Sequence, residues 1–414
     1  MKLKRLLALI LGMIMLLSLA SCGEESKVVE TKDEAGWFTT WTSAQLTAGP
    51  DETPMDPALK ENTCRQQIRV SIGGEKIKLT LSNEYGDIPV IIEGVHIAHL
   101  LDPNAPAIDA STDTAVTFGG ANEVTIEPGT VVASDEIDFK FEALDDLAVT
   151  MKFGKFTGGT ITSHTAARAS TWIASGDHLA DETFNPGKVM TSWYFLSSLE
   201  TWGEAGTKTI VCIGDSITDG ASSTTNAFAR YSDELARRLQ ANESTKNIAV
   251  AAKGIGGNAV FGGLGTACKD RFDRDVINVP GVKYCVVMIG INDIGYEGED
   301  MSDKIIEEYK VMIKKCHENG IKIYGGTLTP IKGSGYYSEL HDKTRKALNE
   351  FIKSDKSGFD GYIDFEAALA DPADPDKLDD QYVSVWNDYL HPNDAGYCKM
   401  GEVAYEYLKD IVVE

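Results

Sequence analysis

The sequence predicts two folded parts in series, an all-β sandwich of the jelly-roll kind and then an α/β part on a doubly wound parallel sheet. Three observations carry that prediction. At 414 residues the chain is longer than one hydrophobic core usually serves. Residues 37–203 place apolar side chains at every second position between glycine-rich turns. Residues 204–414 instead alternate continuous apolar runs with segments of helical periodicity.

In the first part, Ile77, Leu79 and Leu81 alternate with polar neighbours, as do Ile137, Phe139 and Phe141, then Val149, Met151 and Phe153. Gly73-Gly74, Gly119-Gly120, Pro128-Gly129 and Gly158-Gly159 mark turns between them. Period two with such punctuation predicts antiparallel strands, and no segment there predicts a helix. In the second part, apolar runs at residues 209–213, 248–252, 284–289, 321–324 and 362–365 predict buried parallel strands. The last helix is the clearest, with Met400, Val403, Ala404, Tyr407, Leu408 and Ile411 on one face. Chemistry in such a sheet belongs at the carboxyl ends of the strands.

Composition removes some function classes. An apolar fraction of 43% is that of an ordinary globular chain rather than a disordered one. A net charge of −24 argues against a nucleic-acid partner, which needs a basic face. Cys64, Cys212, Cys268, Cys285, Cys316 and Cys398 form no CxxC pair and no zinc-like spacing with histidine, so neither a metal site, nor a disulfide framework, nor a cofactor is expected.

The N-terminus carries an address. Lys2, Lys4 and Arg5 precede an apolar run from Leu6 to Ala20, too short for a stable spanning helix, and the run closes on Leu19-Ala20-Ser21-Cys22. That ending resembles the bacterial lipobox. The resemblance implies a signal peptide over residues 1–21, lipidation of Cys22, and an extracytoplasmic protein anchored to a bacterial cell membrane by lipid alone. Residues 22–36 are polar and aperiodic, as a tether is.

Four short blocks in the second part carry the chemistry. The first predicted strand runs into Gly214-Asp215-Ser216-Ile217-Thr218. The second is followed by Gly254-Ile255-Gly256-Gly257-Asn258, and the third by Gly290-Ile291-Asn292-Asp293. Asp388-Tyr389-Leu390-His391-Pro392 precedes the last helix. Acyl transfer needs a nucleophile, a base, a group that orients the base, and donors for the oxyanion. Ser216, His391, Asp388 and Asn292 with the glycines supply those types in chain order.

These blocks resemble the SGNH hydrolase superfamily, the GDSL esterases, over about residues 207–414. The resemblance implies a flavodoxin-like hydrolase domain at 204–414 behind the sandwich at 37–203. It implies that Ser216 attacks an ester carbonyl, that His391 is its base, and that Asp388 orients His391. It implies an oxyanion hole from the N–H of Ser216, a glycine N–H and the Asn292 amide. Gly257 matches the final glycine of the family's Gly-x-Ser-Gly better than Gly256 does, although this chain lacks the serine. Ile217 also stands where a strict GDSL has leucine.

Asp215 and Asp293 read as structural acceptors, and His317 as a helix C-terminal residue. His96, His99, His178 and His341 have no motif context. Tyr296 and Trp386 are candidates to wall a substrate pocket, and His164 with Arg168 lies in a loop-like stretch that would reach substrate from the sandwich. Relatives with a jelly roll before the hydrolase domain are often carbohydrate deacetylases, so the expected substrate is a short-chain ester on a small molecule or polysaccharide. A lipase, lysophospholipase or arylesterase, a sugar acyltransferase, and a decayed glycan-binding lipoprotein are the competing readings.

Overall fold

A computed structural model of the chain describes residues 34–156 and 159–413. The predicted signal peptide, Cys22 and most of the tether lie outside the described residues.

Up to Gly203 the described chain is all strand, turn and loop, with two large antiparallel sheets. In one, Gly36–Thr42, Leu196–Gly203, Gly74–Ser82 and Val131–Ala133 lie side by side, and Ile137–Phe141 also pairs with Gly74–Ser82. In the other the order is Lys188–Met190, Thr171–Ser175, Asn62–Arg69, Asp146–Phe153, Val90–His99 and Thr114–Val116, with Val124–Ile126 joining Val90–His99. Ile77, Leu79 and Leu81 point into the shared core as their alternation predicts. Asp146–Phe153 departs from the simple pattern. Val149, Met151 and Phe153 enter the main core, while Ala148 on the other face is buried with Ala98 and Ile108. A central strand covered on both sides buries residues of its second face as well, here Thr150 beside Ala148.

Beyond Gly203 the architecture changes. Lys208–Gly214, Ile248–Gly254, Val282–Met288, Lys322–Gly326 and Gly361–Ile363 form a parallel sheet. In chain order of the strands its lateral order is 2-1-3-4-5, the flavodoxin-like arrangement. Helices cover both faces: Tyr231–Gln240 packs on Asp394–Leu408, and Ser302–Glu318 on Glu339–Lys353. The last helix buries Met400, Ala404 and Leu408 as one stripe. It stops at Leu408, earlier than the apolar periodicity implies, and Ile411 sits in the turns that follow.

The strand Ile248–Gly254 is an edge of the parallel sheet, and the β-rich half covers it. Ser71 Oγ accepts the Val250 N–H at 3.0 Å, Phe38 and Ile72 bury Ala249, and Lys253 Nζ donates to the Ser43 carbonyl at 2.9 Å. An open edge is a pairing hazard, and these contacts close it. From Ala35 onward the chain forms one compact unit.

Gly254 ends this edge strand where the backbone of the neighbouring turn comes closest. A Cβ there would stand 2.3 Å from the Asp219 nitrogen and 2.7 Å from the Thr218 carbonyl carbon. Both are backbone atoms and cannot swing aside. Gly254→Ala is therefore expected to lose about 1–3 kcal/mol of stability in denaturant unfolding. A variant as stable as the wild type would contradict this packing.

Candidate active site

The first parallel strand delivers its last residue, Gly214, to a sharp turn. Asp215 caps the one-turn helix Ser216–Asp219, accepting the Ile217 N–H at 3.0 Å, and Gly220 closes that helix in the left-handed conformation. The cap fixes Ser216 at the carboxyl edge of the sheet, 8% exposed. Its Oγ lies 2.8 Å from Nε2 of His391, which comes from the far end of the chain.

His391 is held by the loop before the last helix. Its Nδ1 is 2.6 Å from Asp388 Oδ2, and Asp388 Oδ1 accepts from the N–H groups of Leu390 and His391 and from Ser384 Oγ. Burial works against the Asp388 charge. The His391 ring and the two N–H donors outweigh it and keep the carboxyl well below its usual range. Asn387 and Tyr389, on either side of Asp388, adopt φ of 54° and 51°. Tyrosine rarely accepts that conformation, so the loop is held by its surroundings: Ser384 N–H bonds the His391 carbonyl, and Asn393 Nδ2 bonds the Gln381 and Val383 carbonyls.

On the other side of Ser216 stand the glycine loop and Asn292. The Gly256 N–H is taken by Asp219 Oδ2 at 3.2 Å, whereas Gly257 adopts φ 70° and has no hydrogen bond on its N–H among the described residues. Asn292 is buried; one N–H of its amide donates to the Asn258 carbonyl at 2.8 Å, and its Oδ1 accepts from Tyr336 Oη at 2.9 Å. That leaves a second amide N–H. Asp293 does not face Ser216; its carboxylate receives the N–H groups of Val260 and Phe261 and pins the loop beyond the glycines.

The predicted pocket residues separate. Trp386 is 52% exposed, its ring perpendicular to that of His391 at 5.5 Å between centroids. Tyr296 is 53% exposed on the opposite flank, its hydroxyl beside the Gly257 carbonyl. His164 does not lie in a loop. It ends the short strand Thr162–His164, is 2% exposed, and is bonded to the Ala44 carbonyl at 2.7 Å and to Asp219 Oδ1 at 3.0 Å. Its ring is thus buried and bears on the turn through Asp219. His317 pairs with Asp360. Among the described residues no group of three His, Cys, Asp or Glu could hold a metal ion.

Sequence reasoning missed the residues that tie these pieces together. Arg271 is fully buried and donates to the Gly214 and Lys253 carbonyls, Asn258 Oδ1 and Asp275. Arg230 donates to the Asp219 and Ala167 carbonyls. The four-residue spacing of Arg271 and Asp275 was a visible signal. Nothing in the chain announces that Asp219 meets His164.

Residues 212–398 match the family model of the GDSL-like Lipase/Acylhydrolase family. This part of the chain is a GDSL-like lipase/acylhydrolase domain, and the protein is an ester hydrolase. The GDSL domain resembles several solved structures. One is a GDSL-like lipase from Bacteroides thetaiotaomicron VPI-5482, at 20% identity, covering 50% of this chain and 89% of that one, TM-score 0.39. Another is an acetylxylan esterase from Geobacillus stearothermophilus, at 22% identity over 49% and 94%, TM-score 0.36. A third is a carbohydrate acetylesterase family member from Sinorhizobium meliloti, at 13% identity over 50% and 99%, TM-score 0.39. No curated protein matches the chain in sequence.

The two aspartates nearest the GDSL domain's His391 differ in charge cost. Burial pushes the Asp215 carboxyl up to about 7, with the Ile217 N–H and His391 opposing only in part. An unfolded aspartate titrates near ~4. Between these values the folded chain holds a proton the unfolded chain has released, so stability falls as pH rises toward 7. Asp215→Asn keeps an acceptor for Ile217. Its stability relative to the wild type should grow between about pH 4 and 8 in denaturant titrations. A difference independent of pH would contradict the buried, protonated carboxyl.

Proposed function

We propose that the GDSL domain is a serine esterase in which Ser216 is the nucleophile, His391 the general base and Asp388 the group that orients it. The observation that carries this reading is the continuous chain from Ser216 Oγ through His391 to Asp388, at 2.8 and 2.6 Å. His391 Nε2 accepts the Ser216 proton as Oγ attacks the ester carbonyl. Asp388, held ionised by its N–H donors, keeps the Nδ1 proton in place and stabilises the imidazolium that forms. The carbonyl oxygen, now negative, is received by the N–H groups of Ser216 and Gly257 and by the free amide N–H of Asn292. Gly256 is not a donor on this reading, because Asp219 already holds its N–H. His391 then returns the proton to the departing alkoxide, and water repeats the sequence on the acyl-enzyme.

The favoured substrate is a short acyl ester on a carbohydrate. Leu264 would be 3.1 Å from a Cβ on Gly257, so the space beside that donor is narrow and suits a small acyl group. Trp386 and Tyr296 offer half-exposed aromatic faces on the two flanks, of the kind that stack on sugar rings. Its proposed location is outside the cytoplasm, anchored through a lipidated Cys22, on the strength of the basic stub, the apolar run and the Leu-Ala-Ser-Cys ending. Incorporation of labelled palmitate into the wild type and its loss in Cys22→Ala would support the anchor; equal labelling would remove it.

Ser216→Ala and His391→Ala should each lower kcat on 4-nitrophenyl acetate by several orders of magnitude, and Ser216→Ala should abolish fluorophosphonate labelling. Asn292→Ala should retain more activity, with a loss of roughly 10²–10³. Acetate release from acetylated polysaccharides should depend on Ser216. A preference for long acyl chains would replace the deacetylase reading with a lipase, and an Asn292→Ala variant as inert as Ser216→Ala would overturn the oxyanion assignment.

A further inference from the structure

Arg168 lies between Thr162–His164 and Thr171–Ser175, in the β-rich half, yet its guanidinium reaches the rim of the active site. It sits over the Trp386 ring, 5.7 Å from the centroid, and Trp386 in turn meets His391. Every other described arginine donates side-chain hydrogen bonds to a carbonyl or a carboxylate, but the Arg168 guanidinium has neither a hydrogen bond nor an ion pair among the described residues, and its Nε is buried without an acceptor. In a chain with 63 acidic and 39 basic residues, a guanidinium without a carboxylate partner is a departure from the rest of the molecule.

Its segment is rigid rather than idle. Ala166 and Arg168 both hold left-handed backbone, at φ 55° and 53°. The Ala167 N–H bonds the Thr191 carbonyl, the Ala167 carbonyl receives Arg230, and the Arg168 carbonyl receives the Asn226 N–H. A strained segment pinned on three sides holds a partly exposed guanidinium whose terminal N–H groups no described residue satisfies, and those groups are open to an acceptor from outside.

The side of the cleft matters. His391 Nε2 must reach the leaving oxygen, so the alcohol portion of the ester lies toward His391 and Trp386, and the acyl portion toward Gly257, Leu264 and Tyr296. Arg168 therefore faces the alcohol. A planar guanidinium fork matches a carboxylate in two parallel hydrogen bonds. The net charge of −24 repels anions at long range, so selection of one must be local.

We propose that Arg168 binds a carboxylate on the alcohol portion of the substrate, so that the enzyme acts on acylated acidic carbohydrates, esters of uronates rather than of neutral sugars. This rests on the assignment of Ser216 and His391 given above. The sandwich half thereby supplies substrate selection to a site whose proposed catalytic groups all belong to the GDSL domain.

The test uses the full chain and two acetyl esters, of methyl glucuronoside and of methyl glucoside, which differ only in carboxylate or hydroxymethyl at C6. Wild type should favour the acidic ester by roughly tenfold or more in kcat/KM, mainly through KM, the factor one charge-assisted contact supplies. Arg168→Gln should bring the ratio to about one, and Arg168→Lys should keep part of it. Calorimetry with Ser216→Ala and unacetylated methyl glucuronoside or methyl glucoside reads recognition without turnover. Selective glucuronoside binding that vanishes on adding Arg168→Gln supports the inference even if neither ester is cleaved, which would instead remove the esterase assignment. Equal binding of both sugars, or a preference that survives Arg168→Gln, overturns it.

Discussion

The active edge depends on one buried cation. Where a strand leaves a parallel sheet, its last carbonyls lose their partners, and buried carbonyls without donors are costly. Arg271 serves two strand ends at once: it donates to the Lys253 carbonyl and gives a second donor to the Gly214 carbonyl, which also receives the Ile255 N–H at 3.2 Å. Its remaining donors hold Asn258, whose own carbonyl receives Asn292. One guanidinium thus sets the relative height of the serine turn, the glycine loop and the asparagine. Asp275 compensates its charge, and the carboxyl is held low by Lys253, Arg274 and Arg271 against the penalty of full burial. Such a cluster is tolerable in the interior only because every member is paired.

Two carboxylates near one imidazole are sorted by environment. Asp388 is partly exposed and receives three hydrogen bonds from its own loop besides the one from the ring, so it favours the charged form. Asp215 is enclosed and receives one, so burial dominates. The first is suited to stabilising an imidazolium, the second to capping a turn.

Much of this was legible in the sequence. The parallel strands follow from continuous apolar runs, and the four blocks at their ends name Ser216, Gly257, Asn292, Asp388 and His391 without a structure. What stayed hidden depends on pairs far apart in the chain. Arg271 reads as one charge on a short polar helix, and its work appears only when two strand ends converge on it. His164 reads as part of a loop, because a three-residue strand leaves no period to detect. Val149 and Met151 suggest a half-exposed strand, since a sequence does not say that a second layer buries Ala148. The apolar stripe also overshoots the last helix, because Ile411 continues it after the backbone has turned.

The seam between the halves has an evolutionary consequence. Ser71 closes the sheet edge, and His164 grips the same aspartate that holds the Gly256 N–H. A hydrolase domain that borrows hydrogen bonds from its neighbour is not a cassette that recombination can move freely. Exchange of either half without its counterpart would leave those donors and acceptors unpaired at the join.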